Sequence, residues 1–369
     1  MSSHGVIRTA RDRTDLQRRE ATEKIRFYRS LVDQLRSKPH YAATIQHLDH
    51  DHFAISTEIL LMNPEYYTIW NIRRRCIAHT MLSTSTDPTA ACENDAQRDR
   101  TTIHDITTVL NSELDFTENL MREHAKCYWI WKYRSWILNQ ARDRLPREVA
   151  RSIWEQELTL ISKLLHRDRR NFHAWAFRRH IVTELERSAL QGSSLVETEF
   201  EYTTKMIRLD LSNFSAWHSR IQLIPRLLLE RESGNDIRKK FLEAEFSFVR
   251  KALNVGPDDQ SLWYYHKFLM YELVGPSNNH AFVPELHMMD RKILALTEID
   301  NIRELAVDYA DVKWIWEALI EYTAAIVELE DRPLNCQEGT DIRSWLGTLR
   351  NLDPKRNGRW NFIKVKYDL

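Results

Sequence analysis

Hydrophobic residues along this chain recur with a helical period and are interrupted, at fairly regular intervals, by short polar breaks. In WEQELTLISKLL, which begins at Trp154, apolar residues return every three or four positions; a polar break follows, and the period resumes in NFHAWAFRRHIVTEL. Residues three and four apart share one face of an α-helix, so the pattern predicts two amphipathic helices joined by a turn. The same pairing repeats along most of the chain. The breaks carry Asn63-Pro64, Asp168, Asn213 and Gly256-Pro257, which suit helix entry through a side-chain cap or a proline in the first turn. The polar run STSTDPTAACENDAQRDR (83 to 100) has no helical stripe and reads as a loop or a disordered insertion.

Five tryptophans give the repeat its ruler. Trp70, Trp131, Trp175, Trp217 and Trp263 close the words NPEYYTIWNIR, HAKCYWIWKYR, RRNFHAWAFRR, LSNFSAWHSR and PDDQSLWYYH, at spacings of 61, 44, 42 and 46 residues. Three residues before the tryptophan stands Tyr67, Tyr128, Phe172 or Phe214, with Gln260 the exception; three after it stands Arg73, Arg134, Arg178 or Arg220, and His266 in the fifth. Seventeen residues before it comes Phe53, Leu114, Leu158, Phe200 or Phe246, preceded in four cases by Glu113, Glu157, Glu199 or Glu245. The period exceeds the roughly 34 residues of tetratricopeptide units and suits other paired-helix solenoids. The expected architecture is all-α: a right-handed solenoid or crescent of helical hairpins. The aromatic and the tryptophan are expected to fill the seam together, with the glutamates reaching the arginines across the hairpin. A flexible arm is expected to about residue 20, then one repeat domain over 21–369 with a degenerate sixth unit at 312–362.

Composition agrees with long helices. Only 8 glycines and 10 prolines accompany 43% hydrophobic and 29% charged residues, too little turn chemistry for an all-β chain. Twelve tryptophans imply an aromatic-rich interior. With 53 basic and 53 acidic residues the net charge is zero, so no global field favours nucleic acid or an anionic membrane, and any functional positive charge must be local. Cys76, Cys92, Cys127 and Cys336 are widely separated and form no C-x-x-C pair, which argues against a disulfide framework or structural zinc. No run approaches the roughly 18 apolar residues of a membrane span, and MSSHGVIRTARDRTD lacks an apolar core. A reducing, cytoplasmic home is the expectation. HLDHDH (47 to 52) matches no metal motif and reads as a solvated helix start.

The words themselves go further than their spacing. N-P-x-x-Y-x-x-W-x-x-R, A-K-x-Y-x-x-W and RNFHAWAFRR resemble the repeats of protein prenyltransferase α subunits, over about residues 50 to 362. Within that family SNFSAWHSR followed by Pro225, the fifth unit PDDQSLWYYH, LDPKR (352 to 356) and His4-Gly5 look most like the Rab geranylgeranyltransferase (type II) branch, in its short fungal-like form. The resemblance implies a heterodimer in which this chain wraps around a β subunit that holds zinc and the isoprenoid. It implies transfer of geranylgeranyl from its diphosphate to C-terminal cysteines of a Rab GTPase presented by a Rab escort protein. Two alternatives stay open: the α subunit shared by farnesyltransferase and type I geranylgeranyltransferase, and a non-catalytic helical scaffold.

Alkylation of a thiolate by an allylic diphosphate needs a metal to keep the sulfur deprotonated and positive charge where the leaving diphosphate gathers electrons. The resemblance assigns the metal to the partner and, for the second task, places a lysine and a Tyr/His pair on Lys126, Tyr128 and His173. Lys126 would offer an ammonium, Tyr128 a hydroxyl and His173 an imidazole N–H. Two departures stand out. His124-Ala125 replaces the family's Asn-Pro ahead of Lys126, and Phe172 replaces a tyrosine.

Overall fold

The computed structural model describes residues 14–37, 50–81, 95–275 and 282–369, and these are helical throughout apart from turns. Fifteen α-helices occur among them. The chain divides into two compact units, one from Met1–Leu165 with Asn171–Ser193, the other from His166–Arg170 with Ser194–Leu369. The first carries α1 (Asp15–Ser37), α2 (His50–Met62), α3 (Tyr67–Cys76), α4 (Asp95–His124), α5 (Tyr128–Arg144), nearly all of α6 (Arg147–Arg167) and α7 (Phe172–Leu185). The second carries α8 (Val196–Leu209), α9 (Phe214–Glu230), α10 (Asn235–Leu253), α11 (Gln260–Val274), α12 (Met288–Asp308), α13 (Lys313–Leu329), α14 (Cys336–Leu352) and α15 (Asn357–Lys366). Within each unit successive hairpins pack second helix to second helix, α3 on α5 on α7 and α9 on α11 on α13. No helix among the described residues is long and apolar enough to cross a membrane.

Each ruler tryptophan is buried, and the indoles of Trp70, Trp131, Trp217 and Trp263 share one task. Trp70 Nε1 donates to the Pro64 carbonyl (2.8 Å), Trp131 to Ala125 (2.9 Å), Trp217 to Leu211 (2.8 Å) and Trp263 to Pro257 (2.6 Å), always six residues upstream. The bond ties each second helix to its own entry turn and satisfies a carbonyl that the turn would otherwise leave without a partner. Trp316 on α13 makes the same bond to Ala310 (2.8 Å), and α12, which packs on α13, begins at Met288.

The ring three residues before the tryptophan does not share its seam. Tyr67, Tyr128, Phe172 and Phe214 are 54, 46, 66 and 50% exposed. Each is the first residue of its helix, and Cα–Cβ bonds tilt toward the helix N-terminus, so these side chains project off the end of the helix layer. Each stands at the N-terminal edge of its own hairpin, and the core is built elsewhere.

The arginines and glutamates pair, but between successive hairpins and not across one. Arg73 on α3 grips Glu113 on α4 through Nε and Nη2, both at 2.7 Å, while its Nη1 reaches Ser56 (3.1 Å) and Thr57 (2.7 Å) on its own first helix. Arg134 holds Glu157 at 2.5 and 2.7 Å and turns Nη1 to the Leu114 carbonyl and Thr117 hydroxyl, each at 2.6 Å. Arg220 holds Glu245 at 2.7 and 2.6 Å and Thr204 at 2.7 Å. All six charged side chains of these pairs are almost fully buried. The planar guanidinium makes this possible, since its fork serves a carboxylate on one side and hydroxyls on the other. Phe53 and Phe200, seventeen residues before their tryptophans, lie under the guanidinium groups of Arg73 (4.0 Å) and Arg220 (3.7 Å).

A tyrosine from the next second helix completes two of these sites. Tyr133 Oη donates to Glu113 at 2.6 Å, and Tyr265 Oη donates to Glu245. Burial, with the adjacent carboxylate, pushes both phenols well above their usual range and keeps them protonated donors. The fifth unit replaces arginine with the fully buried His266, whose Nδ1 meets Tyr322 Oη (2.9 Å) and whose Nε2 meets Glu298 (3.2 Å). Arg250, from α10, also pairs with Glu298.

Helix entries follow the sequence in part. Asn213 caps α9, accepting from Ala216 N at 3.2 Å, and Asp259 caps α11 from Ser261 N at 2.8 Å. At α7 the cap is Asn171, not Asp168, accepting from Ala174 N at 3.2 Å. Asn213 also donates to the Arg169 carbonyl (3.0 Å), so Asn213→Ala loses both bonds; a loss of about 1 kcal/mol is expected from the urea unfolding midpoint. α1 begins at Asp15, inside the arm expected to reach residue 20. Of the 83–100 insertion, Asp95 onward is helix, and the remainder lies outside the described residues, as do residues 1–13. Of HLDHDH, His50 and Asp51 are exposed while His52 is buried, and the rest lies outside the described residues.

Candidate functional site

The candidate residues lie on the edge made by the helix N-termini of the first unit. The turn His124-Ala125-Lys126-Cys127 links α4 to α5, closed by Cys127 N to the His124 carbonyl at 2.9 Å. Replacing Asn-Pro with His124-Ala125 leaves this entry intact, because the partner of the Trp131 indole is a backbone carbonyl, which Ala125 offers as Pro64 does. Asn171 Nδ2 binds that same carbonyl from the next hairpin at 3.3 Å. One side-chain amide thus caps α7 and fastens it to the turn bearing Lys126.

Lys126 is exposed at this turn and makes no ion pair with a described residue, so its ammonium is available. Its neighbour Cys127 points the other way: the residue is buried and Sγ contacts the Pro64 carbonyl at 3.4 Å. Burial pushes that thiol above its usual range, so it stays protonated. The turn therefore presents a cation outward and an anchor inward.

Tyr128 and His173 come together across the hairpins. Their ring centroids are 6.3 Å apart, and the imidazole also stacks on Trp131, 6.3 Å away with 12° between the planes. Phe172 lies against His173 at 4.1 Å and supplies no hydroxyl. Desolvation pulls the imidazole below its usual value, opposed by the charge of Glu65, so at neutral pH His173 is a neutral ring with one N–H to donate. Lys132 Nζ lies 5.6 Å from the Tyr128 ring, one helical turn further on. The edge thus holds two ammonium groups, a phenol and an imidazole N–H: chemistry for an anion carrying several oxygens.

The structure adds residues that the sequence reading passed over. Trp129 packs on Tyr67 at 5.3 Å and edge-on against Tyr128 at 5.4 Å, with 78° between the planes. The signal was present in the register: Trp129 and His173 both stand two residues before a ruler tryptophan, where the first, fourth and fifth repeats have Thr68, Ser215 and Ser261.

The protein prenyltransferase alpha subunit repeat matches residues 49–80, 110–141, 154–185, 196–227 and 242–273. Geranylgeranyl transferase type-2 subunit alpha of Dictyostelium discoideum is 34% identical, with 98% of this chain and 99% of that protein covered. The chain belongs to the protein prenyltransferase α-subunit family. Its relative from Schizosaccharomyces pombe, also named geranylgeranyl transferase type-2 subunit alpha, is 30% identical over 98% of each chain. Among solved structures, a chain of Candida albicans protein geranylgeranyltransferase-I complexed with GGPP superposes with a TM-score of 0.55. That match covers 87% of this chain and 85% of the other at 18% identity, and speaks to the helical-hairpin fold. The matched segments coincide with the hairpins from α2/α3 to α10/α11, so the α-subunit repeat is the unit that the tryptophan and arginine bonds hold together.

Proposed function

We propose that this chain is the α subunit of a type II geranylgeranyltransferase, active with a β subunit in the cytoplasm and acting on Rab GTPases presented by an escort protein. The observation that carries the reading is full-length similarity to type-2 α subunits, joined to a cationic and hydrogen-bonding edge at Lys126, Tyr128 and His173. In the reaction the bond from the first prenyl carbon to the diphosphate oxygen breaks as the sulfur–carbon bond forms. The electron pair leaves with the diphosphate, and the chain's task is to receive that growing charge. Lys126 supplies a compact ammonium, Tyr128 an O–H and the neutral His173 an N–H, each directed at phosphate oxygens.

Zinc, on this reading, belongs to the β subunit, where it would keep the acceptor cysteine deprotonated. Among the described residues no group of three His, Cys, Asp or Glu side chains could hold a metal ion. The test is coexpression with candidate β subunits and prenyl transfer from geranylgeranyl diphosphate to a Rab, with and without escort protein. Transfer that requires the escort is expected. Transfer to a C-a-a-X peptide without it would instead assign the chain to the α subunit shared by farnesyltransferase and the type I enzyme.

A further inference from the structure

We infer that Trp129 is a positioning residue that sets the direction of the Tyr128 hydroxyl; this rests on the diphosphate role given to Tyr128 above. Tyr128 is the first residue of α5 and is 46% exposed, so no preceding helical turn restrains its ring. Successive residues on a helix diverge by about 100° and do not ordinarily touch. Here they meet, because both rings project from the first turn. Trp129 is itself half-buried and braced from the preceding hairpin by Tyr67, 5.3 Å away at 34°. Its edge-to-face contact with Tyr128 blocks one side of that ring, and His173 at 6.3 Å flanks it from the following hairpin. The result is a continuous series of rings, Tyr67, Trp129, Tyr128 and His173, drawn from three consecutive hairpins. Thr68, Ser215 and Ser261 at the equivalent position of other repeats are too short to make such a brace.

Hydroxyl direction matters for a donor to a developing anion, since a displacement near 1 Å at a reacting group lowers rate steeply. In the coexpressed heterodimer, Trp129→Ala is expected to lower kcat about 10-fold with KM for geranylgeranyl diphosphate little changed, and Trp129→Phe, which keeps a ring face, to restore most of it. The decisive comparison places Trp129→Ala in a Tyr128→Phe background: with no hydroxyl left to aim, the second substitution is expected to cost almost nothing more. Independent, multiplying losses would overturn the inference and leave the role of Tyr128 standing, as would a loss confined to KM. Full turnover in Tyr128→Phe alone would remove Tyr128 from the proposed site and the inference with it.

Discussion

Glu113→Ala is expected to destabilise the protein by about 3–5 kcal/mol, read as a fall in the denaturation midpoint by circular dichroism. Glu113 accepts three short hydrogen bonds, two from Arg73 and one from Tyr133, in a site where all three residues are buried. Removing the carboxylate strands a guanidinium in the interior and leaves the Tyr133 hydroxyl without that acceptor. Glu197 is the useful contrast. It pairs with Arg231 at 2.6 Å, but both side chains are about half exposed, so Glu197→Ala is expected to cost less than about 1 kcal/mol. Similar geometry in the two pairs separates burial from contact as the source of the cost.

The buried pairs do more than add stability. A pair of well-packed apolar residues would hold two hairpins at least as firmly, but without directional bonds. Arg73 makes such bonds on both sides: its Nη1 is fixed on Ser56 and Thr57 of its own hairpin while Nε and Nη2 are fixed on the next. Arg134 and Glu157 likewise join the two hairpins that carry Tyr128 and His173.

Much of this was legible in the sequence because the repeat is dense. The tryptophan period gave the hairpins, and Glu113, Glu157 and Glu245 stood at a fixed register from ruler residues, which marked them as partners for arginines. Which hairpin each glutamate serves was not legible, since a register fixes position along a helix and says nothing of the neighbour it faces. The exposed rings at Tyr67 and Phe214 were misplaced for a related reason: periodicity locates a residue around a helix axis, whereas exposure at a first turn depends on where the helix begins. Asp168 and Asn171 show the same limit, two good caps three residues apart with only the folded turn to choose between them. The candidates Lys126, Tyr128 and His173 come from the words, not the spacing, and Trp129 occupies an unspecified position of A-K-x-Y-x-x-W, so the motif does not single it out.

The second large effect concerns chemistry rather than stability. Lys126 is exposed and unpaired among the described residues, so Lys126→Ala removes no contact that the fold uses, and both the denaturation midpoint and heterodimer assembly are expected to be unchanged. Turnover should fall about 100-fold, the usual scale for loss of one charge-stabilising group at a developing anion. Lys126→Arg should recover only part of it, because a planar guanidinium does not replace a compact ammonium.

The most direct test of the account is therefore single-turnover geranylgeranyl transfer to an escort-bound Rab by purified heterodimer carrying Lys126→Ala. A transfer rate about 100-fold below that of the unsubstituted heterodimer, with normal assembly and an unchanged unfolding midpoint, is the predicted result. Normal transfer by whatever heterodimer forms, with the loss lying entirely in assembly, would show that this edge serves only to join the subunits and would contradict the account.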